Sequence, residues 1–92
     1  MAKSSDETIT EFTETNRQWK REGDSLVANL EFKDFAESMT FVNQVAAHAE
    51  QADHHPDIDI RWNKVRLALS THSEGGITQK DLDLARSIPS TQ

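Results

Sequence analysis

EQADHHPDIDIRWNKVRLALSTHSEGGITQKD, residues 50–81, holds three of the four histidines and reads in succession as helix end, hairpin and helix start. His54 and His55 stand between the end of a helical pattern and Pro56, where the backbone must leave helical geometry. Ile58, Ile60 and Trp62 then alternate with Asp59 and Arg61, and Asn63 with Lys64 predicts a turn. Val65, Leu67 and Leu69, alternating with Arg66 and Ala68, complete a hairpin that His72 closes. Residues 73–76 read as a loop. Thr78 followed by Asp81 has capping-box spacing, with an acid in place of Glu or Gln, for a last helix carrying Leu82, Leu84, Ala85 and Ile88. Pro89 ends it.

Upstream, Asp34 is a good N-cap for a long helix over residues 35–51. Phe35, Met39, Val42, Ala46 and Ala49 share one face of it, and Phe41, Val45 and Ala52 widen the apolar stripe enough to predict contact with a partner subunit. Residues 17–32 predict a first hairpin: Trp19 in a short polar strand, a turn at Glu22-Gly23-Asp24, then Leu26, Ala28, Leu30 and Phe32 alternating with Val27, Asn29 and Glu31. Residues 1–16 are polar and Thr-rich, with Ile9 and Phe12 the only sizeable apolar side chains after Met1. A ragged tail is expected there, carrying at most a short helix over residues 9–15, with Thr8 and Glu11 at capping-box spacing. The chain thus divides into a polar segment, 1–16, and a single α+β domain, 17–92. The order is ββαββα behind a short first helix, with helices covering one face of a four-stranded antiparallel sheet.

Ninety-two residues suffice for one modest core, and oligomerisation is a common supplement at this size. Sixteen acids against ten bases leave a charge of −6, with no Lys/Arg cluster to follow phosphates, which disfavours direct nucleic-acid binding. Cysteine is absent, so disulfides, thiolate metal sites and thiol nucleophiles are excluded. No run approaches eighteen apolar residues and the front lacks a signal-peptide core, so a cytoplasmic protein without membrane contact is expected.

Helix end and strand end can meet in space, so His54, His55 and His72 can converge. Imidazole both gives and takes a proton near neutral pH, its unperturbed pKa being about 6.5, and such a cluster suits acid–base chemistry. Each residue has a plainer explanation when taken alone. His54 and His55 can simply end a helix, and His72 can be an exposed strand-end residue. His48 lies off the main apolar face, as a solvated position would. Asp81 reads as an ordinary first-turn acid and Trp62 as a core aromatic. A zinc site built from His54, His55, Asp57, Asp59 and His72 is disfavoured, because adjacent histidines point differently and no HExxH pair exists.

Spacing across the stretch decides between these explanations. Glu50, His54-His55-Pro56, Trp62, His72 and Asp81, together with Lys33-Asp34-Phe35, Phe41-Val42, Val45-Ala46, Ser70-Thr71-His72 and Gly75-Gly76-Ile77-Thr78, resemble the pterin-4a-carbinolamine dehydratase family over roughly residues 19–88. The front departs from that pattern: the family has a Leu-rich first helix and often Gly before the tryptophan, whereas Gln18 precedes Trp19 here.

The resemblance implies dehydration of a 4a-hydroxytetrahydropterin to a quinonoid dihydropterin without metal or organic cofactor. It implies His54 and His72 as acid–base groups and His55 as a residue that binds and orients the pterin. Pro56, Thr71, Ser73 and Glu74 would contact the pterin's amide-like edge, and Glu50 would fix an imidazole. It also implies homodimers through sheet edges and homotetramers through the long helices. Some relatives serve instead as transcriptional coactivators or enzyme-assembly chaperones, so a non-catalytic module with a protein partner is the competing expectation.

Overall fold

The computed structural model describes residues 2–90; Met1, Thr91 and Gln92 lie outside the described residues. The elements run α1 (Asp6–Thr15), β1 (Trp19–Glu22), β2 (Ser25–Glu31), α2 (Phe35–Ala52), β3 (Asp57–Arg61), β4 (Lys64–Leu69), a 3-10 turn (His72–Glu74) and α3 (Gln79–Ser87). The strands form one antiparallel sheet in the order β1-β2-β4-β3, which is the four-stranded α+β arrangement expected from the sequence.

Register sorts the side chains into two faces. Trp19 pairs with Ala28 and Ala28 with Leu67, while Leu26 pairs with Leu69 and Leu30 with Val65. These residues line the face that the helices cover. Over them pack Ile9 and Phe12 of α1, Phe41, Val45 and Ala49 of α2, and Leu82, Leu84 and Ala85 of α3. The alternate positions, among them Lys20, Asn29, Arg66 and Asp59, line the opposite, largely charged face, where Arg66 of β4 reaches over β2 to Glu22 of β1 at 2.8 Å. Ile58 belongs to the covered side yet stays partly exposed, because β3 is an edge strand.

Four local expectations need correction. α1 starts at Asp6 rather than Ile9, because Ser5, not Thr8, is the cap: its Oγ accepts the Thr8 N–H at 3.1 Å, and Asp6 and Glu7 then sit favourably in the first turn. Ile9 and Phe12 are buried in the common core, so the front of the chain is part of the same packing unit rather than a polar tail.

On α2 the buried positions are Ser38, Phe41, Val42, Val45 and Ala49, while Phe35 is 49% exposed and Ala46 faces solvent. The expected face is therefore rotated, with its supposed flank inward. Large Phe41 and Val45 remove more apolar area from water than Ala46 can, and Ser38 tolerates burial because its hydroxyl donates to the Asp34 carbonyl at 3.0 Å. Asp34 caps the helix as expected, accepting the Glu37 N–H at 2.9 Å.

The second hairpin turns at Trp62 and Asn63, not at Asn63 and Lys64. Trp62 has a φ of 55°, which takes it out of the strand alternation, and it is 64% exposed rather than a core aromatic. Asn63 ties this turn to the start of the α2 connection, its carbonyl accepting the Phe32 N–H at 2.7 Å and its Nδ2 donating to the Phe32 carbonyl at 3.1 Å. Finally, β4 stops at Leu69, and His72 opens a 3-10 turn instead of closing the strand.

The rotated face makes a measurable distinction between two phenylalanines on one helix. Phe41→Ala is expected to lower the unfolding free energy by about 3–5 kcal/mol, and Phe35→Ala by less than half as much, in urea denaturation. Equal losses would contradict the inward placement of Phe41.

Candidate functional site

The sheet brings the two histidine-bearing segments to one end of the second hairpin. Asp57, the first residue of β3, pairs with Ala68 near the end of β4. Pro56 and the histidines before it therefore stand beside the chain that leaves β4 for Thr71 and His72.

α2 ends at Asp53, whose φ of 50° and ψ of 43° are left-handed. Its N–H reaches the Ala49 and Glu50 carbonyls, and the His54 N–H donates to the Ala49 carbonyl at 3.1 Å. These bonds close the last helical turn. Beyond it the two neighbouring rings find different partners. His54 is mostly buried, its side chain 14% exposed, with Nε2 2.5 Å from Oδ1 of Asp81. His55 is exposed, and its Nε2 meets Oε2 of the still more exposed Glu50. Glu50 thus holds an imidazole as expected, and the one it holds is His55. A surface pair of this kind contributes about 0–1 kcal/mol.

Asp81 is fully buried, and its carboxylate joins three parts of the chain. Oδ2 accepts the Thr78 N–H and the Thr71 hydroxyl, both at 2.8 Å, while Oδ1 faces His54. The Thr71 and Thr78 hydroxyls lie 2.8 Å apart, and Thr78 Oγ1 also accepts the Lys80 N–H at 3.3 Å. Because Thr71 donates to Asp81, Thr78 must donate to Thr71, which gives every hydroxyl one direction. A carboxylate only accepts, so the proton between His54 and Asp81 sits on Nε2. Nδ1 of His54 is left for other work.

The second segment is shaped by a pinched loop. Thr71 and Gly76 exchange backbone hydrogen bonds at 2.8 and 3.3 Å, and the Glu74 N–H donates to the Thr71 carbonyl at 3.0 Å. Gly75, with a φ of 71°, ends the short turn by donating to the His72 carbonyl at 3.1 Å. That φ is where glycine is favoured. His72 and Ser73 are left exposed on this turn, and Glu74 and Pro56 are half-buried. Thr71, by contrast, is buried with hydroxyl, N–H and carbonyl all engaged. Among the described residues none of the three candidate imidazoles hydrogen-bonds another.

By its position in the sequence Asp81 is an ordinary first-turn acid that caps α3. It is that, with the capping box formed as expected, and it also holds His54. Only the buried Thr71 and the returning loop make the second role visible. His48, expected to be solvated, is half-buried and lines a cleft of about 280 Å³ between α2 and α3 that has His54 on its wall. A hollow of about 390 Å³ on the charged sheet face is lined by Asp59 but by none of the candidate histidines. Among the described residues no group of three or more His, Cys, Asp or Glu side chains is placed to hold a metal ion.

An α+β sheet with a histidine held by a buried aspartate at the hairpin's end defines a class for which known relatives exist. The sequence model of the family described as Pterin 4 alpha carbinolamine dehydratase matches residues 2–91. A protein of Thermomicrobium roseum, provisionally named a pterin-4-alpha-carbinolamine dehydratase, is 51% identical over 88 residues, covering 96% of this chain and 95% of its own. One of Mycobacteroides abscessus, with the same provisional name, is 59% identical over 70 residues, 76% of this chain and 74% of its own. The crystal structure of a transcriptional coactivator/pterin dehydratase from Brucella melitensis superposes with a TM-score of 0.88 at 31% identity, covering 94% of each chain. A pterin dehydratase-like protein described as a RuBisCO assembly factor of the alpha-carboxysome shares the fold, with a TM-score of 0.65 at 20% identity over 77% of this chain and 84% of its own. This chain belongs to the pterin-4a-carbinolamine dehydratase family. The match over residues 2–91 includes the front, where the sequence had departed from the family's usual pattern.

The hydrogen-bond directions make His54 a spectroscopic marker. Long-range proton–nitrogen correlation spectra are expected to show the proton of neutral His54 on Nε2, and Asp81→Asn to remove that preference. A proton on Nδ1 in the unaltered protein would contradict the arrangement.

Proposed function

We propose that this chain is a hydro-lyase that converts 4a-hydroxytetrahydropterin to quinonoid dihydropterin, as part of tetrahydropterin recycling. The observation that carries this proposal is His54, held on its Nε2 side by a fully buried carboxylate and so left with Nδ1 to act on a substrate.

In the reaction the C4a–O bond breaks and the N5–H proton departs, its electron pair becoming the second bond between N5 and C4a. The leaving oxygen takes a proton and departs as water. His54 Nδ1, a lone-pair acceptor in the tautomer that Asp81 selects, is suited to take the N5 proton. His72, exposed on the turn that follows Thr71, is suited to supply the proton to the hydroxyl. After turnover His54 carries a proton that His72 has lost, and exchange with solvent resets both rings. No redox change occurs, and the balance requires neither metal nor organic cofactor.

His55, steadied by Glu50, serves to bind and orient the pterin. Pro56, Ser73 and Glu74, on the same two chain segments as the histidines, would meet the amide-like edge of the ring. Thr71 acts differently from the expectation of direct contact: with its hydroxyl on Asp81, it is a positioning residue for His54.

A second role is favoured by the Brucella structure, which carries a coactivator designation beside the dehydratase one. A non-catalytic module, whether coactivator or enzyme-assembly chaperone, would not need His54 and Asp81 in this arrangement. A homodimer or homotetramer is proposed as the working form. Exposed Ile58 on edge strand β3 and exposed Phe35 on α2 offer apolar surface for such contacts. Among the described residues no helix is long and apolar enough to cross a membrane; a cytoplasmic setting is proposed from the substrate class.

The purified protein is expected to speed quinonoid dihydropterin formation from freshly generated 4a-carbinolamine, unchanged after exhaustive chelation. His54→Ala and His72→Ala should each lower kcat by roughly 10²–10⁴ while circular dichroism stays native. A folded but inactive protein would favour the scaffold role, and zinc-restored activity would favour a metal site. Light scattering at micromolar concentration should report more than one chain per particle, and a monomer would count against the proposed assembly.

A further inference from the structure

Trp19 opens β1 and is only 2% exposed, yet its indole Nε1 has no hydrogen-bond partner among the described residues. Buried polar groups are nearly always paired, and an unmet N–H costs energy, so this donor points to an acceptor that enters from outside. Trp19 borders a hollow of about 280 Å³ where the chain leaving α1 meets the end of α3. Arg17, Arg86, Ser87, Ile88 and Pro89 help to form its other walls.

The charges around this hollow are of one sign. Arg17 and Arg86 both border it, and among the described residues no carboxylate does, although the chain as a whole carries −6. Arg17 is exposed and has no side-chain partner among the described residues. Arg86 lies with its guanidinium carbon 5.3 Å from the Phe12 ring centroid and gives Nη1 to Asp83 at 3.3 Å, which leaves its other N–H groups available. Arg86 also offsets the carbonyls at the end of α3, a structural role that any last-turn cation can fill. That role accounts for neither Arg17 nor the unmet indole. A neighbouring hollow bordered by the same Trp19 and Arg17 includes Glu14, whose carboxylate repels an anion, and is the poorer receptacle.

We infer that the hollow between the α1 exit and the end of α3 binds a small monovalent carboxylate, whose oxygens accept from Trp19 Nε1 and from the Arg17 and Arg86 guanidiniums. The available donors favour carboxylate over phosphate. Nearby hydroxyls already have their protons committed, Thr15 to the Glu11 and Phe12 carbonyls and Ser87 to the Leu84 carbonyl. Three N–H sources remain, which match two oxygens better than the larger acceptor set of a phosphate dianion. Asp83 offsets part of the Arg86 charge, so the local excess also fits one negative charge better than two. Ala85, Ile88 and Pro89 supply apolar surface for the carbon chain of the acid. The site lies at the opposite end of α3 from Asp81, and its occupancy is independent of the dehydratase activity proposed above.

The test follows the Trp19 indole N–H in proton–nitrogen correlation spectra of the full chain, assigned against Trp62→Phe, during titration with sodium butyrate at ionic strength held constant with sodium chloride. The Trp19 resonance is expected to move downfield and to saturate with a Kd on the order of 1 mM, while that of Trp62 stays in place. Arg17→Gln and Arg86→Gln, both at exposed positions, should each weaken binding about tenfold, as loss of a hydrogen bond between charged groups would. Lys64→Gln, on the far face of the sheet, should leave the Kd as it was. A Kd unmoved by both arginine variants would overturn the site. Tighter binding of inorganic phosphate than of butyrate would overturn the carboxylate assignment. A Trp19 resonance that no butyrate concentration shifts would overturn the inference and leave an ordered water as the acceptor of the indole N–H.

Discussion

The contact between His54 and Asp81 is the constraint on which the arrangement depends. Asp81 has lost all contact with water, and moving a carboxylate out of water is costly unless its lone pairs are met. Three donors from three places meet them: the end of β4 through Thr71, the start of α3 through Thr78, and the chain beyond α2 through His54. Removing one donor leaves the others pointing at an under-satisfied charge. Local helix capping and the geometry of the candidate site are therefore one problem with one solution.

The solution also explains how two adjacent histidines come to live in different surroundings. A left-handed residue at the end of α2 is unfavourable for anything but glycine, although Asp tolerates it better than most. Here Asp53 reverses the chain, and Pro56 keeps the exit extended. Between these restrictions His54 is carried toward the interior and His55 toward solvent and Glu50. One ring gains a fixed tautomer from burial. Its neighbour stays at the surface, held by Glu50.

Much of this was legible from residue order. Alternation in residues 26–32 and 58–69 marked both hairpins, Asp34 and Thr78 marked two helix starts, and the spacing of Glu50, His54, His55 and His72 singled out the residues at the hairpin's end. What escaped depended on three-dimensional competition. Which side of α2 faces inward is settled by the volumes of Phe41 and Val45 against Ala46, and a spacing count weights those residues equally. Trp62 fits an alternating pattern on paper but takes a turn position, because the strand must end where Lys64 pairs with Arg61. Asp81 looks like any capping acid until Thr71 is seen to return from a different element. Ile9 and Phe12 are too few to announce a core helix by themselves, yet two apolar residues three apart are enough once a sheet waits beneath them.

The front of the chain has a bearing on chemistry far from it in sequence. Lys3 bridges to Thr78, Ser4 donates to the Ile77 carbonyl at 2.8 Å, and Gly76 leaves so little room that a Cβ there would stand 2.9 Å from Lys3 Cδ. The opening residues are thus stitched onto the segment that delivers Thr78 and Asp81. Trimming the chain back to α1 would open this seam, so the choice of terminus in a recombinant product is also a choice about how firmly the aspartate beneath His54 is seated.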